Sequence, residues 1–207
     1  MKDMDLSVYF ITSNEFGYSH EEIALMALKA GIKTIQFREK RMSAREMLRT
    51  AKNLRELCDN FDATFIVNDR VDIALLSDAD GVHAGQDDLP AEEIRRIFDG
   101  IIGTSVSSVE EAVKAEEHAD YLGAGPVFFT KTKKDAGNAI GIEGLKRIVD
   151  AVSIPVVGIG SINSRNVMEV IMSGVSGVAI ISGIASAENP EFEGRKILEM
   201  VRLSREL

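Results

Sequence analysis

The chain is poor in the residues that cross-link or punctuate a fold. Of its 207 residues one is cysteine, Cys58, so no internal disulfide can form and a small disulfide-stapled secreted framework is excluded. There are four prolines and no low-complexity linker, which argues against a string of modules. No window approaches 18 uninterrupted apolar residues, the length that a membrane helix requires. The opening Met1-Lys2-Asp3-Met4-Asp5 is too acidic and too short of apolar residues for a secretion signal. These absences lead us to expect a cytoplasmic protein with no membrane partner. Basic charge is also scarce: 24 Lys and Arg stand against 33 Asp and Glu, a net charge of -9. A broad nucleic-acid surface needs the opposite balance. No Cys–His or Ser–His–Asp spacing suggests covalent catalysis. His20 and His118 fall in helical segments, and His83 reads as packed or hydrogen-bonded in a strand.

What is present is a rhythm. Eight short apolar runs recur at Val8-Ile11, Thr34-Phe37, Thr64-Val67, Gly81-His83, Ile101-Gly103, Tyr121-Ala124, Pro155-Ile159 and Gly177-Ile181. Helically spaced stretches separate them. Eight repeats of strand and helix specify a closed parallel (β/α)8 TIM barrel, an α/β fold, as a single domain over residues 1–207. The length is near the lower limit for that barrel, and 45% apolar with 28% charged residues suffices for a full core. In such barrels the chemistry sits just beyond the strand ends.

Several helix starts are legible. Ser19 with Glu22, Ser43 with Glu46 and Ser107 with Glu110 have capping-box spacing. Met47, Ala51, Leu54 and Cys58 make one apolar stripe, so Cys58 reads as a core residue. Val167, Val170 and Ile171 make another, closed by Gly174, and Asn189-Pro190 opens the last helix. The segment from Phe128 to Ile140 lacks helical or strand periodicity. A loop that long in a compact barrel is usually functional, and we expect a lid ordered by ligand.

Three groups of residues point to chemistry. Gly160-Ser161 and Ile181-Ser182 follow the last two runs, where barrels offer backbone N–H groups to phosphate; the glycines would otherwise serve tight turns. In Gln36-Phe37-Arg38-Glu39-Lys40, alternation puts Gln36 and Arg38 on one face with Lys40 just beyond. Facing inward, these cations would call for an anion such as a diphosphate. Facing outward, the run would be a solvated surface. Glu39 points the other way and reads as a structural ion-pair partner. Asn68-Asp69 and Gln86-Asp87-Asp88 follow neighbouring strands and supply two carboxylates suited, with diphosphate oxygens and water, to Mg²⁺. Asp69 can also be read as a cap for a helix starting at Arg70.

Taken in order, these residues resemble the thiamine-phosphate synthase family. The resemblance runs from Val8 to about Ala187. It rests on Gln36-Phe37-Arg38-Glu39-Lys40, Asn68-Asp69, the segment Gly81 to Leu89, Gly103-Thr104-Ser105, the segment Gly125 to Lys134, and Gly158-Ile159-Gly160-Ser161-Ile162. It implies condensation of 4-amino-2-methyl-5-pyrimidinylmethyl diphosphate with a thiazole phosphate, giving thiamine phosphate and diphosphate. By matching motif, Gln36, Arg38, Lys40, Asn68 and Lys133 would hold the pyrimidine diphosphate. Asp69 and Asp88 would bind Mg²⁺, and Ser105 would contact the diphosphate. Thr130 and Thr132 would meet the thiazole phosphate, together with backbone groups at Gly160, Ile181 and Ser182. Arg38, Lys133 and Ser105 would be the catalytic members. Phe129 stands where the family often has proline, and Ser161 where it often has glycine. A thiazole tautomerase-like isomerase and a non-catalytic phosphate-ligand sensor are the other readings. Neither needs the diphosphate–Mg²⁺ half-site. A homo-oligomer is compatible with a barrel of this size.

Overall fold

The computed structural model describes residues 4–129 and 138–204. Eight strands form the barrel: β1 Val8–Ile11, β2 Thr34–Phe37, β3 Thr64–Asn68, β4 Gly81–Ala84, β5 Ile101–Val106, β6 Tyr121–Ala124, β7 Val156–Ile159 and β8 Gly177–Ile180. Each pairs in parallel with the next, and β8 closes on β1 through Val8 opposite Val178 and Phe10 opposite Ile180. Around them lie α1 His20–Lys29, α2 Ala44–Asn60, α3 Val71–Leu76, α4 Ala91–Arg95, α5 Val109–Glu116, α6 Gly141–Ala151, α7 Val167–Ile171, the short α8 Ser182–Ala185 and α9 Pro190–Ser204. No helix among the described residues is long and apolar enough to cross a membrane.

Strand alternation divides the apolar residues into two cores. Outward residues such as Phe10, Ile35, Phe65, Val82, Ile102, Leu122 and Val178 pack against the helices. Inward residues Tyr9, Ile66, Ile101, Tyr121, Val157 and Ala179 fill the barrel. Cys58 is fully buried in the outer core. The barrel floor is tied by two matching clamps. Asp80, just before β4, accepts from the Phe65 backbone N–H (2.7 Å) and from Arg55 of α2 (2.6 Å). Asp120, just before β6, accepts from the Ile102 N–H (2.7 Å) and from Arg95 of α4 (2.7 Å). Both lie at strand starts, so charge pairing at that end serves stability and leaves the opposite end for chemistry.

Both expected capping boxes at Ser19 and Ser43 form completely, each worth about 1 kcal/mol to its helix. The third is shifted by one residue. β5 runs on to Val106, three residues past the expected end, so Ser107 lies in the turn. Ser108 is the cap and accepts from the Glu111 N–H, while the Glu111 carboxylate accepts from Ser107. Asp69 does not cap α3: its N-cap is Arg70, with no side-chain cap bond. Pro155 and Ile181 fall just outside β7 and β8.

Candidate active site

The C-terminal ends of the strands enclose one cavity of about 390 Å³, within the usual range for a small-molecule site. Gln36, Arg38, Lys40, Asn68, Asp69, Asp88 and Ser105 line it, as do Gly160, Ser161, Ile181 and Ser182. The residues expected at a diphosphate site and those expected at a phosphate loop thus share one chamber. Within it, β2, β3 and β4 stand across the barrel from β7 and β8. Thr130, Thr132, Lys133 and Lys134 lie outside the described residues, as does most of the expected lid.

The loop after β2 is held from behind. Glu39 points away from the cavity and its side chain is only 4% exposed. It accepts from Asn14 Nδ2 (2.9 Å), from the Lys40 N–H (2.7 Å) and from the Arg41 N–H (2.5 Å), and contacts His20 Nε2 at 3.1 Å. His20 Nδ1 is in turn 2.7 Å from Thr12 Oγ1. Burial pushes the Glu39 carboxyl up, but the Arg41 N–H, the His20 ring and the Lys40 N–H together outweigh it and hold the carboxyl below its ordinary range. Glu39 therefore stays ionised and pins the backbone from which Arg38 and Lys40 reach inward.

Asp69 sits at φ 60, in the left-handed region that aspartate tolerates better than most residues. This turns its carboxylate into the cavity, where Lys40 Nζ lies 2.6 Å from Oδ2. Burial pushes the Asp69 carboxyl above the ordinary aspartate range; the Lys40 bond opposes this and the neighbouring Asp88 carboxyl reinforces it. Asp88 Oδ2 accepts from the Gly85 N–H at 2.9 Å. Two half-buried, repelling carboxylates with an ammonium on one of them mark a place where positive charge is stabilised. Among the described residues no group of three or more His, Cys, Asp or Glu side chains could hold a metal. The Asp69 and Asp88 carboxylates, both lining the cavity, are of the kind that would suit a hard cation drawing its remaining oxygens from a ligand and water, as Mg²⁺ does beside phosphates.

The loop after β7 is knotted. Gly160 has φ 115, and a Cβ there would come within 2.7 Å of Pro126. The next residue, Ser161, holds φ 50 despite its side chain. Its Oγ donates to the Phe129 carbonyl at 2.7 Å, and its own carbonyl accepts from Asn166 Nδ2 at 3.0 Å. The two positions that depart from the family pattern therefore touch. Ser161→Ala keeps the left-handed strain and loses the hydroxyl bond, so urea unfolding should show a loss of about 1 kcal/mol. Ser161→Gly loses the same bond but relieves about 1 kcal/mol of strain, so its stability should lie within about 0.5 kcal/mol of the parent.

Two tyrosines beneath the cavity had no motif to mark them. Tyr9 Oη and Tyr121 Oη lie 2.7 Å apart, Gln36 Nε2 donates to Tyr9 Oη (2.8 Å), and His83 bridges Tyr121 Oη (2.9 Å) and Ser105 Oγ (2.9 Å). His83 is hydrogen-bonded, as its place in a strand suggested. The inward glycines leave room for this network: a Cβ on Gly103 would strike the Tyr121 ring, and one on Gly123 would come within 3.1 Å of His83.

Comparison with known proteins gives a consistent result. A family model described as thiamine monophosphate synthase matches residues 8–184. The thiamine-phosphate synthase of Archaeoglobus fulgidus is 61% identical over 197 residues, spanning 95% of this chain and 94% of that protein. The thiamine-phosphate synthase of Pyrococcus furiosus is 49% identical over 201 residues, spanning 95% of this chain and 96% of that protein. The solved structure of a thiamine phosphate pyrophosphorylase from Pyrococcus furiosus superposes with a TM-score of 0.92 at 44% identity, covering 97% of each chain.

Proposed function

The chain belongs to the thiamine monophosphate synthase family, and on that premise we propose that it joins 4-amino-2-methyl-5-pyrimidinylmethyl diphosphate to 4-methyl-5-(2-phosphooxyethyl)thiazole. The products are thiamine phosphate and diphosphate. The observation that carries this reading is the two-sided cavity: Gln36, Arg38, Lys40, Asp69 and Asp88 on the β2–β4 side, with the Gly160 and Ser182 loops opposite. One side suits a diphosphate and its cation, the other a second phosphate.

The chemistry asks for charge neutralisation. The methylene C–O bond breaks and its electron pair leaves with the diphosphate. In this reading Arg38 receives the growing charge through two parallel bonds, and Ser105 contributes a further contact. Mg²⁺ held by Asp69 and Asp88, when bound, would supply Lewis-acid neutralisation of the leaving oxygens. The electron-rich aminopyrimidine ring stabilises the positive methylene carbon, and the thiazole nitrogen donates its lone pair to form the new C–N bond. No protein nucleophile takes part. By family motif, Lys133 belongs with Arg38 at the diphosphate, Lys40 and Asn68 at the same half-site, and Thr130 and Thr132 at the thiazole phosphate. Enclosure by the barrel keeps water from the cation.

Omission tests this reading. Purified protein with both substrates and Mg²⁺ is expected to form thiamine phosphate, and removal of either substrate or chelation of the metal should abolish it. Conversion of the thiazole phosphate alone to an isomer, with no dependence on the pyrimidine diphosphate, would instead identify an isomerase.

A further inference from the structure

The tyrosine–histidine network beneath the cavity joins two cavity-lining side chains through the barrel interior. From Gln36 Nε2 it runs to Tyr9 Oη (2.8 Å), to Tyr121 Oη (2.7 Å), to His83 Nδ1 (2.9 Å), and from His83 Nε2 to Ser105 Oγ (2.9 Å). Gln36 is 2% exposed, Tyr9 and Tyr121 are each 1% exposed, and His83 is 8% exposed. Four strands contribute inward positions to it besides β2, and the residues adjoining it on two of them are Gly103 and Gly123, which leave space for the Tyr121 and His83 rings.

A phenol has one proton, and so does a neutral imidazole; within this chain each must serve two neighbours. When every link is aligned the same way, the direction of the first sets the rest. The Gln36 amide donates to Tyr9 Oη, so the Tyr9 proton is directed to Tyr121. In that alignment the Tyr121 proton goes to His83 Nδ1, which is then the bare ring nitrogen. The imidazole proton is left on Nε2 and is donated to Ser105 Oγ. Burial pushes both phenols above their ordinary range, so each keeps its proton. Cooperative polarisation strengthens such a chain when all its members point one way.

We propose that Tyr9, Tyr121 and His83 are positioning residues that set the direction of this chain, so that Ser105 accepts from His83 and turns its own hydroxyl proton into the cavity as a donor to diphosphate. The proposal rests on the diphosphate reading of the cavity. It gives the buried polar groups a task that packing alone does not need: four apolar side chains of similar size would fill the same space without a direction. It also separates Ser105 from a nucleophile activated by histidine. In a Ser–His pair built for attack, the ring takes the serine proton; here the ring gives a proton to the serine oxygen.

Nitrogen NMR of ¹⁵N-histidine-labelled protein tests the direction. There are three histidines, and the His83 signals are identified by their loss in His83→Asn. The expected result is a protonated Nε2 and a bare Nδ1 in the parent, with the Nδ1-protonated ring appearing in Tyr121→Phe and in Tyr9→Phe. Calorimetry with inorganic diphosphate and Mg²⁺ should show binding weakened about tenfold in Tyr121→Phe, the scale of one charge-assisted hydrogen bond. Ser105→Ala should lose a similar factor, and the Tyr121→Phe/Ser105→Ala double variant little more, because the residues act as one unit. A proton on Nδ1 in the parent protein would overturn the proposal. So would additive losses, or a Tyr121→Phe protein that binds diphosphate as the parent does. Should Tyr121→Phe fold poorly, the parent spectrum and Tyr9→Phe still decide. Failure to form thiamine phosphate would remove the functional reading and leave the ring measurement intact, whereas an Nδ1 proton in an active enzyme would remove only this proposal.

Discussion

Asp69→Asn and Asp88→Asn should each remove most of the Mg²⁺-dependent activity, and the double variant should be little worse than the worse single one. Two carboxylates that hold one cation act as a unit, so removing the second costs little after the first is gone. The fold should not suffer. Asp69 has its carboxyl held above the ordinary range, by burial first and by Asp88 in addition, against the pull of Lys40. A carboxyl whose folded-state pKa is raised favours folding while protonated. That contribution is fully present below the unfolded-state value and is lost as pH rises through the folded-state value. Wherever Asp69 is ionised it is therefore a burden on the folded state, and the neutral amide removes that burden. Thermal melting without metal should be unchanged or higher in Asp69→Asn, while activity at saturating Mg²⁺ stays low. Full activity of either single variant at low Mg²⁺ would remove that residue from the metal site.

Arg38→Lys should lower kcat by about 10²-fold or more, the scale seen when an oxyanion donor is lost. Lysine keeps the charge and gives up the planar fork that can meet two diphosphate oxygens at once. The fork matters most when charge has built up on the leaving group, so the loss should fall on kcat and on kcat/KM alike. The neighbouring supports should be unaffected, because Glu39 holds this loop through the Lys40 and Arg41 N–H groups and His20, not through the Arg38 side chain. Steady-state kinetics with the pyrimidine diphosphate varied is the check. A change confined to KM would mean that Arg38 binds substrate and transition state equally.

The barrel was readable because buried parallel strands appear as continuous apolar runs, with little of the alternation that makes half-exposed strands ambiguous. Legibility failed where polarity and strand coincide. β5 continues through Thr104 and Ser105 because one faces the helices and the other the cavity, and neither position is apolar. The capping error has a similar origin: Ser107 and Ser108 each have a glutamate three residues on, and only the length of β5 decides which serine caps. The inward turn of Arg38 and Lys40 followed from strand alternation, and Glu39 took the opposite face for the same reason. Asp69 was read as a possible cap because sequence does not reveal a left-handed backbone; once φ is 60, its carboxylate faces the cavity and not the helix. The Tyr9–Tyr121 contact joins residues 112 apart in the chain, and no local pattern reports so distant a pairing. Ser161 shows the limit from the other side. A serine standing where the family often has glycine adopts the left-handed backbone and makes a hydrogen bond to the Phe129 carbonyl that glycine could not.

The central claim is that one cavity accepts both phosphorylated substrates and joins them without admitting water. Phosphorus and proton NMR of a single reaction test it most directly: both substrates and Mg²⁺ are mixed with protein, free diphosphate and thiamine phosphate are followed by phosphorus, and the pyrimidine alcohol by its ring and methylene protons. The account predicts that diphosphate and thiamine phosphate appear in equal amounts with almost no alcohol. Release of diphosphate matched by the alcohol, or no release while the thiazole phosphate rearranges, would contradict it.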